Sequence, residues 1–254
     1  MAAILLEHPL DESIGNLLRL ENLFVRVDAL IHRLYPIDHH FCLLTLLEIA
    51  AFEEHHDLSA QILGQLDAHQ NRLNAYKGNP HVAESALNEL LAQLQAHSIA
   101  LRAQSNQLQD LISRDEWWFK LRDRMAVPGG SSPVDAPRYF AWQHRDKEDR
   151  QDDLRHWLQW FLPLRHSVQF LLKLIRSSTQ MSRQVAKGGE FRQNLPQGRC
   201  QLIRVWVDSA LKVTPEVQGN QLMATLRFLS RGPRGQTSLC LEDIPFELGL
   251  ILSH

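Results

Sequence analysis

The sequence has few of the residues that build disulfide-rich, collagen-like or disordered chains. Its 254 residues include three cysteines, an odd number without a Cys-x-x-Cys pair, which excludes a disulfide scaffold and a cysteine-rich zinc site. With 12 glycines and 11 prolines, it also lacks the composition of collagen or of a disordered chain. We expect Cys42, Cys200 and Cys240 to be reduced core thiols, as is usual in the cytosol.

No stretch is long and apolar enough to predict a membrane span. The most apolar window, residues 157–175, contains Arg165, His166 and Lys173, and is therefore interpreted as a helix of the core. The first residues carry no basic segment followed by a long apolar run, so no signal peptide is predicted. Together these features predict a cytoplasmic protein.

The formal net charge of −2 conceals a strong asymmetry along the chain. Residues 1–112 contain 6 Lys and Arg against 14 Asp and Glu, whereas residues 113–254 contain 21 against 15. The basic excess is strongest in residues 154–241, with 13 Lys and Arg against three acidic residues. Such a segment suits an anionic partner, although the two halves could equally complement each other.

Leucine-rich periodic segments predict helices over the first two thirds of the chain. Residues 11–36 place apolar side chains on one helical face and are expected to end at Pro36. Further helices are predicted from Asp38 and after Asp57. A long helix is predicted over residues 82–111, where leucines recur every seven residues at Leu87, Leu94, Leu101 and Leu108.

The middle of the chain changes in character. Residues 115–125 predict a short helix that ends at the loop of residues 128–133. Residues 145–153 have mixed charge and predict a solvated stretch. The following helix, residues 153–184, should be kinked or split by Pro163.

The hydrophobic period becomes alternating after residue 190. Residues 201–209 and 222–230 predict strands separated by a turn-rich segment, and residues 237–252 predict one or two more, interrupted at Pro245. The prediction is an α+β fold with a mostly helical domain, an antiparallel helix bundle, over residues 11–186. A smaller antiparallel β domain over residues 187–254 is expected to be joined by an N-terminal strand from residues 2–10.

Catalytic and metal-binding motifs are weak. Glu53 and His56 have a Glu-x-x-His spacing, but a di-iron bundle needs a second such pair, and only Asp153 and His156 approach one. There is no nucleophile elbow and no phosphate-binding glycine loop. A metal-dependent enzyme is the weakest alternative, and no cofactor is expected.

Binding is therefore the favoured class of function. Arginine suits carboxylates and phosphates because its fork donates two parallel hydrogen bonds. A nucleic acid bound to residues 154–241 is one alternative, although that segment has few aromatics and no helix-turn-helix or RNP-like signature. A short acidic peptide is the other alternative. It need contact only the basic segment, so the acidic first half of the chain would not repel it.

Several strings, taken in order, resemble those of one family. They are Leu6-Glu-His-Pro-Leu-Asp-Glu12, Leu18-Arg-Leu-Glu21, Arg122-x-Arg124-x-x-x-Pro128-Gly-Gly130, Asp135-x-Pro137 with Trp142, Leu172-x-Leu-Ile-Arg176-x-Ser178, Leu202-Ile-Arg204, Pro215-Glu216 with Gly219, Leu226-Arg-Phe228 and Phe246-Glu-Leu248. Their order and spacing resemble the bacterial cell-division protein family ZapD, over nearly the whole chain.

The resemblance implies a cytoplasmic homodimer, with a helical and a β domain, that is not an enzyme. Members of this family bind the C-terminal tail of FtsZ, the tubulin-like GTPase, and crosslink or bundle its protofilaments. They act at the midcell division site, where they promote assembly of the Z-ring. No membrane or nucleic-acid partner is expected.

The resemblance also assigns tail binding to six arginines that lie in matching strings: Arg19, Arg122, Arg124, Arg176, Arg204 and Arg227. Four positions that are basic in the family are Glu54, Glu116, Phe140 and Met223 here, so the basic surface is expected to be rearranged. Arg122 and Arg176 are alternatively partners of carboxylates on helices of the same chain.

Overall fold

The computed structural model describes residues 3–196, 199–220, 222–232 and 235–252, apart from the side chains of residues 106 and 109. The α-helices in these ranges are α1 Glu12–Ile31, α2 Pro36–His56, α3 Leu58–Asn74, α4 Glu84–Arg114, α5 Glu116–Met125, α6 Pro137–Gln143, α7 Lys147–Gln159 and α8 Leu162–Ser177. The strands are β1 Ala3–Pro9, β2 Met181–Ala186, β3 Glu190–Asn194, β4 Cys200–Asp208, β5 Val213–Gly219, β6 Met223–Arg231, β7 Thr237–Leu239 and β8 Ile244–Leu252. None of the described helices has the length and apolar character to cross a membrane.

The chain divides into two compact units. The helical unit comprises residues 19–171, and the β unit combines residues up to 18 with residues from 172 onward. Every described strand belongs to the β unit. The fold therefore mixes helices with antiparallel sheets, and the predicted α+β class is confirmed.

The core of the helical unit follows the leucine periodicity. The four leucines of α4 that recur every seven residues are all buried: Leu87, Leu94, Leu101 and Leu108. They lie on one side of the helix because two turns of helix cover about seven residues. Helix α4 contacts α3 and α5, while α2 contacts α3, α6 and α7.

The first two helix boundaries differ from the prediction. Helix α1 ends at Ile31, and Leu34, which lies within the predicted helix of residues 11–36, is 58% exposed. Pro36 begins α2 instead of ending α1. A proline is tolerated in the first turn of a helix because the N–H that it lacks would have no partner there.

Helices α7 and α8 correct two further predictions. The stretch of residues 145–153, predicted to be solvated, contains the start of α7, and its Arg150 is only 4% exposed. The predicted split at Pro163 is confirmed, since α8 starts afresh at Leu162. Helix α8 ends at Ser177, because Ser177 and Ser178 bond their hydroxyls to carbonyls of the last turn. The predicted continuation to residue 184 is therefore wrong.

The β unit is built from two antiparallel sheets. One has the strand order β1-β4-β8-β2, and the other has the order β3-β6-β5 with β7 also paired to β6. Alternate side chains of both sheets form one apolar core, in which Phe246 of the first sheet lies 5.2 Å from Phe191 and 5.0 Å from Phe228 of the second, measured between ring centroids. The sheets therefore pack face to face.

Two segments of the β unit were predicted wrongly. The turn-rich segment after residue 212 is strand β5, which tolerates Pro215 because it lies at the edge of its sheet. Pro245 does not interrupt β8, since it precedes the part of β8 that pairs with β4. The N-terminal strand is confirmed over residues 3–9, where it pairs with β4, and residue 2 lies outside the described residues.

The three cysteines are free, as predicted. Cys42 and Cys200 are buried, and Cys240 is half-buried. Burial, with a smaller contribution from Asp28, raises the pKa of Cys42 to about 12. Its thiol is therefore protonated near neutral pH and is a poor nucleophile.

Candidate partner-binding surface

The six predicted arginines are divided equally between the two units. The helical unit contains Arg19, Arg122 and Arg124, and the β unit contains Arg176, Arg204 and Arg227. Arg19 is exposed on α1. The other five differ in whether a carboxylate of the chain already neutralises them, which determines how available each is to an anionic partner.

Arg176 and Arg204 converge on one carboxylate, that of Glu7. Glu7 lies on β1 directly opposite Arg204 on β4. The carboxylate accepts from Nε of Arg204 at 2.9 Å, and from Nε and Nη2 of Arg176 on α8 at 3.0 and 2.5 Å. Only 11% of the Glu7 side chain is exposed, against 26% for Arg176 and 17% for Arg204. This cluster, the Glu7 triad, joins α8, β1 and β4.

Arg227 pairs across the second sheet. It lies on β6 opposite Glu190 of β3, and its Nε donates to Oε1 of Glu190 at 2.9 Å. The Arg227 side chain is 46% exposed. Such an exposed pair contributes little to stability, so a stronger anionic partner can replace Glu190 at low cost.

Helix α5 carries the two arginines of the Arg-x-Arg string. Its N-terminus is capped by Asp115, whose Oδ1 accepts from the backbone N–H of Trp118 at 2.9 Å. Arg122 donates to Glu54 of α2 at 2.9 Å, so its predicted alternative as the partner of a helix carboxylate is confirmed. Arg124 is exposed and makes no ion pair with a carboxylate among the described residues.

The glycines after α5 fix the end of that helix. Gly129 has φ +76°, a conformation that side chains other than hydrogen disfavour. A Cβ on Gly130 would lie 2.0 Å from the carbonyl oxygen of Arg124. The Pro-Gly-Gly string therefore lets the chain turn back tightly against the last turn of α5, where Arg124 lies.

An aromatic cluster joins α5, α6 and α7. Trp117 stacks on Trp157 with ring centroids 4.9 Å apart and planes at 6°, and Trp142 lies 5.9 Å from Trp117. The indole N–H of Trp157 donates to Oδ2 of Asp115 at 3.1 Å, so one carboxylate both caps α5 and holds the stacked ring. The cluster fixes the position of Trp117, which is only half-buried.

The residues of the metal alternative have structural partners instead. Both carboxylate oxygens of Glu53 accept from the backbone N–H of Ser59 at 3.2 Å, near the start of α3, and burial raises the pKa of Glu53. His56 packs edge-on against Phe52. Asp153 accepts from the Trp142 indole at 2.9 Å. Within the described part of the chain, no three His, Cys, Asp or Glu residues are grouped as metal ligands.

Two clefts flank Trp117, and the sequence did not predict them. One, of about 430 Å³, lies beside Trp142 and Trp157. The other, of about 260 Å³, lies between α5 and α6 and brings Arg124 together with Arg138 and Tyr139. The adjacent tryptophans at 117 and 118, placed shortly before the Arg-x-Arg string, are the sequence signal that could have indicated an aromatic site.

Comparison with known proteins identifies the family. The family model ZapD, described as a cell division protein, matches residues 18–227. The cell division protein ZapD of Ralstonia pickettii (strain 12J) is 36% identical over 248 residues, which cover 97% of this chain and 98% of the relative. That of Aromatoleum aromaticum (strain DSM 19018 / LMG 30748 / EbN1) is 32% identical over 242 residues, covering 95% and 94%. The chain therefore belongs to the ZapD family of cell division proteins.

Proposed function

We propose that this chain is a cytoplasmic homodimer that binds the C-terminal tail of FtsZ and bundles FtsZ protofilaments at the midcell division site. The observation that carries the proposal is the match to ZapD over residues 18–227, with relatives aligned along nearly the full length of the chain. Its action is binding and not catalysis.

The arginines supply the chemistry for an acidic or carboxylate-ended tail. Arg124 supports the proposal most directly, because it is exposed and no carboxylate of the described residues neutralises it. Arg227 is nearly half exposed and can exchange Glu190 for a carboxylate of the tail. Arg19 is exposed on α1 and completes this accessible group.

The remaining three arginines are less exposed than Arg227, and each is paired with a carboxylate of the chain. Arg122 shares its charge with Glu54. Arg176 and Arg204 share Glu7, which leaves one net positive charge on the Glu7 triad. We propose that the triad attracts the tail mainly through this net charge.

A dimer converts single tail contacts into crosslinks. Each protomer would present one tail site, and two sites can hold tails of two protofilaments. After the first tail binds, the second binding event is intramolecular, so weak single contacts give strong bundling. A monomer with the same site would coat protofilaments without joining them.

Low-speed sedimentation of polymerised FtsZ tests this function. We expect the protein to bring full-length FtsZ into the pellet, and to leave FtsZ without its C-terminal tail in the supernatant. Light scattering coupled to size exclusion should give twice the mass of the chain. Absence of FtsZ from the pellet at every protein concentration would disprove bundling. Retardation of duplex DNA at the same salt concentration would instead support the nucleic-acid alternative.

A charge reversal on the second sheet tests the proposed site. Arg227→Glu places a negative charge beside Glu190 and should weaken bundling about tenfold in the protein concentration required. Lys77→Glu is the matched control. Lys77 is exposed, and this substitution changes the net charge by the same amount as Arg227→Glu. Equal bundling by the two variants would remove Arg227 from the site.

A further inference from the structure

The cleft between α5 and α6 combines an apolar interior with a cationic rim. Its volume is about 260 Å³. Leu121 and Tyr139, both almost fully buried, and the half-buried Trp117 form its apolar part. Small-molecule and cofactor sites begin at about 300 Å³, so this cleft suits one large side chain better than a whole ligand.

Positive charge surrounds the opening of the cleft. Arg124, Arg138 and Lys120 line it, against one carboxylate, that of Asp135. Lys120 pairs with Glu116, and Asp135 accepts from the hydroxyl of Ser132 at 2.5 Å.

The two arginines of the rim remain available to a partner. Arg124 and Arg138 are exposed, and neither makes an ion pair within the described residues. The pKa of the nearby Glu116 carboxyl is lowered mainly by its hydrogen bond from Lys120. The positive charge of Arg138 lowers that pKa least. Two guanidinium groups therefore lie beside an apolar cavity without carboxylate partners of their own.

The neighbouring cleft of about 430 Å³ differs in this respect. Its carboxylates, Asp115 and Asp153, accept from the indoles of Trp157 and Trp142 at 3.1 and 2.9 Å. Its Arg145 donates to Asp153 at 2.8 Å. The charged groups there already have partners, so that cleft offers a ligand little charge to recognise.

The wall that the two clefts share is rigid. Trp117 is held between its stack on Trp157 and the neighbouring ring of Trp142. A ring that is already fixed loses little conformational freedom when a partner packs against it, which favours binding. Exposed apolar side chains continue around the same helices, with Phe119 at 44% and Phe140 at 40% exposure.

We propose that the α5–α6 cleft is the anchor point of an acidic peptide, with one large apolar side chain of the peptide seated against Trp117, Leu121 and Tyr139. The guanidinium groups of Arg124 and Arg138 pair with carboxylates that flank this side chain. The assignment rests on the proposed function, in which the peptide is the FtsZ tail. A nucleic acid fits less well for two reasons. The cleft has room for only one side chain, and the carboxylate of Asp135 lies at its edge.

Fluorescence anisotropy of a labelled synthetic FtsZ tail peptide tests the anchor. Arg124→Glu and Arg138→Glu each replace an exposed side chain, and each should raise the dissociation constant about tenfold. Lys77→Glu is the matched control in the same unit, since Lys77 precedes α4 whereas α5 follows it. Helix α4 has 31 residues and is therefore about 45 Å long, which places Lys77 far from the cleft.

A double-mutant cycle tests the apolar contact itself. Replacing each large apolar residue of the peptide by Ser should identify one position that weakens binding to the natural protein about tenfold. The same replacement should have little effect on binding to the Trp117→Ala variant, because the seat is already lost. Circular dichroism checks the fold of that variant, and the two arginine variants provide a test that does not depend on it.

The outcomes separate the anchor from the function. If the natural protein pellets FtsZ while Arg124→Glu and Arg138→Glu bind the peptide as the control does, the anchor is wrong and the function stands. If the natural protein neither pellets FtsZ nor binds the peptide, both the proposed function and the anchor are wrong. The anchor and the function are both supported if Arg124→Glu and Arg138→Glu weaken peptide binding, and if the Ser replacement in the peptide has little effect on binding to the Trp117→Ala variant.

Discussion

The guanidinium Nε of Arg150 donates a hydrogen bond to Nδ1 of His39 at 3.0 Å, although both residues are almost completely buried. Because Nδ1 accepts, the ring proton of the neutral imidazole must lie on Nε2, which bonds the carbonyl of Arg33 at 2.9 Å. Both Nη atoms of Arg150 donate to backbone carbonyls, including those of Gln143 and Leu34. A buried arginine is thus held by a neutral histidine and by carbonyls, and no carboxylate of the described residues forms an ion pair with it.

This geometry predicts loss of stability in mild acid. Protonated His39 could not accept from Arg150, and burial is the main reason that the pKa of His39 is lowered below 6.5. Below about pH 6.5 the unfolded chain therefore binds a proton that the folded chain does not. The free energy of unfolding should fall from that pH down to the pKa of the folded state, by at most about 1.4 kcal/mol per pH unit for this one group.

Chemical denaturation at pH 7.5 and 5.5 checks this. His39→Gln keeps an uncharged acceptor and donor but does not titrate, so its unfolding free energy should change less between the two pH values. Part of the change will remain, because burial also lowers the pKa of His8, His40 and His97. His55→Gln, at an exposed position, is the control. An equally large pH effect in the His39 variant would contradict the prediction.

The Glu7 triad should be important for stability. Glu7→Gln removes the charge that holds Arg176 and Arg204 together, and leaves two largely covered guanidinium groups to repel each other. Because both arginines keep some contact with water, we expect a loss of about 1–3 kcal/mol and not the full cost of a buried ion pair. Urea denaturation measures the difference.

A matched control lies on the same sheet. Glu247 on β8 approaches Arg183 at 3.9 Å, and the Arg183 side chain is 94% exposed. Glu247→Gln should therefore cost less than about 0.5 kcal/mol. Similar losses for the two substitutions would mean that Glu7 acts as an ordinary surface residue and does not hold the triad.

The Glu7 triad also shows what the sequence could not predict. The string that contains Glu7 and the strings that contain Arg176 and Arg204 were all identified, but the residues that pair are 169 and 197 positions apart. The pairing of β1 with β4 places Arg204 opposite Glu7, and Arg176 reaches the same carboxylate from α8. The number of arginines indicates the charge of the segment, but not how much of that charge a partner can reach.

Periodicity predicted the elements that bury one regular face. The leucines of α4 and the alternating residues of β4 and β6 are buried as expected, because a single periodic stripe meets a single core. The prediction from the sequence was wrong where local residue preferences and tertiary contacts disagree. The segment that contains Pro215 and Gly219 was predicted to be rich in turns, yet it forms β5, which is stabilised by its pairing with β6.

Removing one carboxylate should strengthen partner binding. Glu54 pairs with Arg122 at 2.9 Å, and the two side chains are 46% and 28% exposed. Glu54→Gln frees the guanidinium at little cost in stability. If Arg122 belongs to the proposed tail site, the substitution should tighten binding of the FtsZ tail peptide about two- to fivefold. Peptide anisotropy measures the change.

Two further variants isolate the cause of that gain. Glu48→Gln is the control, since Glu48 forms a comparable exposed pair with Arg26 at 3.0 Å. The gain should also disappear in the double variant Glu54→Gln with Arg122→Gln. If Glu54→Gln leaves affinity unchanged, Arg122 does not contact the tail and serves only to join α5 to α2.

The turn after α5 offers a last test that separates packing from helix propensity. Gly130→Ala would place a Cβ 2.0 Å from the Arg124 carbonyl oxygen, so the backbone must shift, at a cost of about 1–3 kcal/mol. Gly64→Ala, within α3 and with open space around the added Cβ, should instead stabilise by about 0.4–1 kcal/mol. Thermal denaturation compares the pair. The shift would also displace Arg124, so Gly130→Ala should weaken binding of the tail peptide whereas Gly64→Ala should not, and equal affinities would show that the turn does not position the cleft.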